Sequence, residues 1–129
     1  MANSDFSKKI GTTLPGAVMI PFSFAPNGGS AITQSTIKGL VGAITSVTYS
    51  ATGLYAVIFR NAFRDFICFS PSVQLTTDSD ATLSSYSWVA ATRTLTLRYR
   101  VAGAANALAA DDGNRLGGVA FFKNCGLPY

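Results

Sequence analysis

Apolar and polar residues alternate along much of this chain with the period of two expected of half-buried strands, and no segment keeps the spacing of a long amphipathic helix. The alternation is cleanest over residues 94–101. There Leu95, Leu97, Tyr99 and Val101 fall on one face, and Thr94, Thr96, Arg98 and Arg100 on the other. Residues 86–90 precede that strand, and the short Ala91-Thr92-Arg93 connection predicts a hairpin. A second hairpin is predicted upstream, where residues 44–49 and 54–59 flank Ser50-Ala51-Thr52-Gly53. Both of its arms are rich in β-branched and aromatic side chains, and Gly53 supplies the positive φ that the turn requires.

The other segments follow the same grammar. Residues 17–24 read as a strand in which Pro21 demands an edge or a bulge, because proline donates no ladder hydrogen bond. Asn27-Gly28-Gly29-Ser30 predicts a turn or loop, and residues 36–41 a short strand ending at Gly42. Residues 66–75 read as a strand interrupted at Pro71, followed by a polar loop over residues 76–80. The Ala-rich stretch 102–110 suits one helical turn, although Gly103 argues for a loop, and Asp111-Asp112-Gly113-Asn114 forms a turn before a last strand over residues 118–123. Seven to eight short strands with frequent turns indicate an all-β fold, a single-domain antiparallel β-sandwich or jelly-roll-like barrel over residues 17–129. Residues 1–16 read as an extended N-terminal arm. Lys8-Lys9 and the apolar run after them loosely resemble a secretion signal, but Asp5, Pro15 and Pro21 break that pattern.

Composition narrows the chemistry. Hydrophobic residues make up 48% of the 129 and charged residues only 12%, which excludes disorder as the main state and leaves an unusually uncharged surface suited to being covered by other chains. No apolar run is long enough to span a bilayer as a helix, so no membrane partner is expected. There is no His, which excludes Ser-His-Asp and Cys-His machinery within this chain and any imidazole-built metal site. Two cysteines, Cys68 and Cys125, lie in hydrophobic strand-like contexts and are expected as buried free thiols, although a disulfide between them stays open. Ten cations against six anions give a formal charge of +4, but the cations are scattered along the chain, so no direct nucleic-acid partner is expected.

Motifs with chemical precedent fail their structural tests. Ser35-Thr36-Ile37-Lys38 has the spacing of a Ser-Lys nucleophile pair, which needs a helix start, and here it runs into Gly39 among strands. Gly39-Leu40-Val41-Gly42 fits a backbone-clamping Gly-x-x-Gly loop but lacks flanking helices. Asp78-Ser79-Asp80 and Asp111-Asp112-Gly113-Asn114 gather oxygens without completing a calcium loop, and turn formation accounts for them. The chain is therefore expected not to be an enzyme: no catalytic residue, no metal site, no cofactor and no small-molecule substrate are assigned. The aromatics are expected in the core. In the arm, Phe6 and Ile10 are apolar groups with no core to join, and Lys8 and Lys9 lie between them, so these four are the candidate partner-binding residues.

The segment Val47-Thr48-Tyr49-Ser50-Ala51-Thr52-Gly53-Leu54-Tyr55-Ala56-Val57-Ile58-Phe59 resembles small structural proteins of tailed bacteriophages, and the Asp111-Asp112-Gly113-Asn114-Arg115 turn with the hydrophobic strand ending at Asn124 is similar to the end of the same proteins. The likeness covers roughly residues 40 to 125 and rests on short structural motifs. It implies a β-sandwich assembled as a homotrimer, located on the virion after assembly in the host cytoplasm, and acting as a capsid decoration (cement) protein on the major capsid protein. It brings no catalytic residues. A tail-fibre or receptor-binding domain, using exposed aromatics on carbohydrate, is the alternative expectation.

Overall fold

Nine strands form in the computed structural model, which describes residues 17–39, 42–61, 65–76, 81–101, 104–105 and 114–123. They are β1 (Ala17–Phe24), β2 (Lys38–Gly39), β3 (Ile44–Ala51), β4 (Leu54–Phe59), β5 (Phe66–Gln74), β6 (Ala81–Val89), β7 (Thr94–Val101), β8 (Ala104–Ala105) and β9 (Arg115–Lys123). Single 3-10 turns occupy Gln34–Thr36 and Ala90–Thr92. One sheet has the order β2-β1-β9-β5, the other β3-β4-β7-β6 with β8 paired to β7 beyond the end of β4. All pairings between these strands are antiparallel, and the two sheets pack face to face as the β-sandwich expected from the alternation.

The core is the set of inward positions that the alternation picks out. Ile20, Phe22 and Phe24 of β1 face Tyr55, Val57 and Phe59 of β4 and Leu95, Leu97 and Tyr99 of β7, all fully or nearly fully buried. Phe59 is its centre, with rings of Phe22, Trp88 and Phe122 at centroid distances of 5.8, 5.6 and 5.2 Å, each edge-to-face. Such pairs add to the stabilisation that burial alone provides.

Both predicted hairpins form. β3 runs two residues further than expected, through a bulge between Tyr49 and Ala51, so the turn tightens to Thr52-Gly53 with Gly53 at φ 72°. Elsewhere the structure corrects the sequence reading. β5 continues through Pro71 because Ser70 turns its carbonyl toward Gly118 of β9, which leaves the proline nitrogen on the outer side of an edge strand where no ladder bond is needed. Pro21 is tolerated for a related reason: its carbonyl faces Gly39 of β2, and β2 pairs only with Phe22 and Ser23. The strand expected over residues 36–41 shrinks to the two residues of β2, and β8 stands where a helical turn or loop was expected. β6 begins five residues earlier than expected and β9 three.

Cys68 is exposed, contrary to its expected burial. A bulge between Phe66 and Cys68 shifts the register, so Phe66 and Phe69, three residues apart, both pack inward while Ile67 and Cys68 turn out. Cys125 and the arm lie outside the described residues.

Candidate interaction surface

The two sides of the sandwich are finished differently. On one side the loop after β1 caps the edge of β3 at Val47. Gln34 lies against Val47 like a short piece of strand, its Oε1 accepting from the Val47 amide at 3.0 Å and its Nε2 donating to the Val47 carbonyl at 2.8 Å. Ile32, 4% exposed, plugs the core beneath. Arg115 ties the same loop down by donating to the Ser23 hydroxyl and the Thr36 carbonyl. Two orphan backbone groups of an edge strand are thereby satisfied, which removes a template for unwanted pairing.

On the other side β5 and β6 lie next to each other, each the outermost strand of its sheet. Between them runs a ladder of aromatic rings. Phe66 stacks on Trp88 at 5.8 Å with an 18° interplanar angle, and Tyr86 meets Phe66 and Phe69 edge-on at 5.7 and 5.8 Å. These contacts close the gap between the sheets without covering either strand's outer backbone edge. Tyr86 is 40% exposed, and Ile67 and Val89 are 51% and 48% exposed. These three are the large hydrophobic side chains exposed among the described residues, and all belong to β5 or β6. No described strand pairs with the outer edge of either. Among the described residues, two long edges without a strand partner are thus flanked by exposed apolar side chains, a combination that in general marks protein-contact sites.

A second feature lies on the outer face of the β2-β1-β9-β5 sheet, a shallow cleft of about 430 Å³. It exists because Gly117 offers no side chain between Ser23 and Ser72, and Lys38, Gln74 and Arg115 stand around it.

The sequence-derived candidates fall as follows. Phe6, Lys8, Lys9 and Ile10 lie outside the described residues, as do Asp78, Asp80, Asp111 and Asp112. Ser35 sits in the 3-10 turn and Lys38 in β2, both exposed, so the helix start that a Ser-Lys pair needs is not what carries them. Asn114 is buried, and its Oδ1 accepts from the Thr76 amide at 2.9 Å, a bond between loops 38 residues apart in sequence; the turn expected over residues 111–113 lies outside the described residues. Tyr55 and Tyr99 lie in the core as expected of the aromatics, but the state of their hydroxyls was not legible in the sequence. The Tyr55 and Tyr99 hydroxyls are buried without a hydrogen-bond partner. Burial, helped by the Tyr49 phenol, pushes the Tyr55 pKa up to about 12. Burial raises Tyr99 as well. The approach of its hydroxyl to the Gly117 backbone opposes that rise but falls short of hydrogen-bond geometry, so Tyr99 too is unsatisfied. Groups held so firmly protonated are poor proton acceptors near neutral pH. No helix among the described residues is long and apolar enough to cross a membrane. The chain matches no protein-family model, no curated protein and no solved structure.

Proposed function

We propose that this is a structural protein of a virion that assembles with itself, as a trimer, and decorates a phage head by binding the major capsid protein. The observation that supports this reading is the contrast between the two sides of the sandwich: on one, Gln34 takes up the Val47 backbone groups of the β3 edge, while among the described residues no strand pairs with the outer edges of β5 and β6, which carry the exposed Ile67, Tyr86 and Val89. A protein that worked alone would gain from covering both sides. The low charge and the resemblance of residues 47–59 to small phage structural proteins support the virion setting. In this reading the arm, with Phe6, Lys8, Lys9 and Ile10, provides the attachment to the capsid. Binding to undecorated heads tests it. The full chain is expected to saturate heads at hundreds of copies per particle, counted by mass spectrometry, and a chain lacking residues 2–12 to bind weakly with an unchanged melting temperature. Full occupancy by the truncated chain would remove the arm from the account. Failure of the full chain to bind heads would remove the decorating role.

A further inference from the structure

We infer that the cleft on the outer face of the β2-β1-β9-β5 sheet is a binding site for a small hydroxylated carboxylic acid, of the size and chemistry of a sugar acid. The sheet register assembles it. One row across the four strands runs Lys38–Ser23–Gly117–Ser72, and the neighbouring rows on the same face set Arg115 beside Gln74 and Pro21 beside Val119. Residues paired across antiparallel strands share a face, so the side chains of Lys38, Ser23 and Ser72 stand on the side where Gly117 leaves the floor bare. The floor has to stay bare, because a Cβ at Gly117 would run into the Phe22 carbonyl. The volume, about 430 Å³, lies within the range of small-molecule sites.

The two ends of the cleft differ in chemistry. Arg115 donates through Nε to the Ser23 hydroxyl at 3.0 Å and through Nη2 to the Thr36 carbonyl. These bonds draw its guanidinium across β1 toward β2 and leave Nη1 uncommitted. Lys38 is paired with Ser23, so a second cation belongs to the same end. No lining residue is acidic, and the Lys38 ammonium has no partner among the described residues. Two cations without a counter-ion favour an anionic group, and a guanidinium fork matches a carboxylate. At the β5 end, Ser72 and Gln74 present an exposed hydroxyl and amide, likewise without side-chain partners among the described residues. They suit neutral hydroxyl groups, which a bare inorganic anion would not supply at that distance. Ser23 and Ser72 are two strand spacings apart, about 10 Å, which leaves room for one ring between the ends. Pro21 and Val119 give that ring an aliphatic wall. The site uses nothing from the exposed apolar side chains of β5 and β6, so it stands or falls apart from the association proposed above.

The experiment is saturation-transfer difference NMR of D-glucuronate titrated against the full chain. It is repeated with glucose as the probe, and with inorganic phosphate or N-acetylaspartate amide as competitor. Glucuronate is expected to bind, and glucose to bind about tenfold more weakly or not at all, because it lacks the charge that Lys38 and Arg115 take up. Lys38→Gln should weaken glucuronate binding about tenfold, and Lys38→Arg should restore most of it. Ser72→Asp, which sets a carboxylate on the cleft, should abolish binding and serves if Lys38→Gln does not fold. Both positions are exposed, so melting temperatures should change little. Lys123→Gln, at the other end of β9, should bind glucuronate as the parent does. Absence of glucuronate binding, equal binding of glucose, or parental affinity in both Lys38→Gln and Ser72→Asp would overturn the inference. So would displacement at equal concentration by phosphate, in favour of a simple anion site, or by N-acetylaspartate amide, in favour of an acidic side chain of a protein partner.

Discussion

Single residues set this fold where backbone geometry or polarity leaves no alternative. Gly53, at φ 72° in the β3–β4 turn, accepts the Tyr99 amide on its carbonyl at 2.7 Å and so links the turn to β7. Gly53→Val should lower stability by about 1 kcal/mol or more, because a β-branched residue resists the left-handed region, and thermal or urea unfolding would measure it. Tyr55 presents the opposite case, a side chain carrying one atom too many. Its hydroxyl is buried without a partner, so Tyr55→Phe should raise stability by roughly 1 kcal/mol, measured by urea denaturation. The same burial makes stability depend on alkaline pH. A phenol whose folded pKa lies above its unfolded value near 10 keeps the native state fully favoured below pH 10. The native state then loses ground as pH rises toward the folded value, about 12 for Tyr55. Melting temperatures should therefore be level up to about pH 9.5 and fall above it, by an amount that shrinks in Tyr55→Phe.

At the scale of elements, local pairs were legible and non-local ones were not. The hairpins β3–β4 and β6–β7 could be read because alternation, a short connection and a turn residue occur within one stretch of chain. The outward turn of Ile67 and Cys68 could not, since it depends on a one-residue slip against β9, some fifty residues later in sequence. For the same reason nothing in the local pattern placed β5 beside β6 as the outermost strands of their two sheets. The Gly117-Gly118 pair in β9 is the clearest element-scale constraint that a strand pattern conceals. An added Cβ at Gly118 would lie 2.0 Å from the Ser70 carbonyl oxygen, and one at Gly117 2.2 Å from that of Phe22. Both residues also hold φ near 150°, which side-chain-bearing residues rarely adopt. β9 can join β1 to β5 only because it is bare at these two points. Gly118→Ala should push β5 off the sheet and destabilise the protein by about 3 kcal/mol or more, seen as a large drop in melting temperature. Normal stability in that variant would show that the strands are not so closely apposed.

At the scale of the molecule, the described residues of the sandwich make one side where Gln34 caps Val47 of the β3 edge and another where no strand pairs with the outer edges of β5 and β6. Its core needs nothing from outside: the rings of Phe22, Phe59, Trp88 and Phe122 interlock within one chain. Among the described residues the exposed large hydrophobic side chains, Ile67, Tyr86 and Val89, all belong to β5 or β6, and in the proposed function this side is where the chains associate. Sedimentation equilibrium of the full chain beside Ile67→Asp/Val89→Asp, two exposed positions whose change leaves the core intact, tests this most directly. The full chain is expected to sediment as an oligomer, most simply a trimer, and the double variant as a monomer with its melting temperature little changed. A full chain that stays monomeric at high micromolar concentration, or a double variant that keeps the parent's mass, would contradict the account.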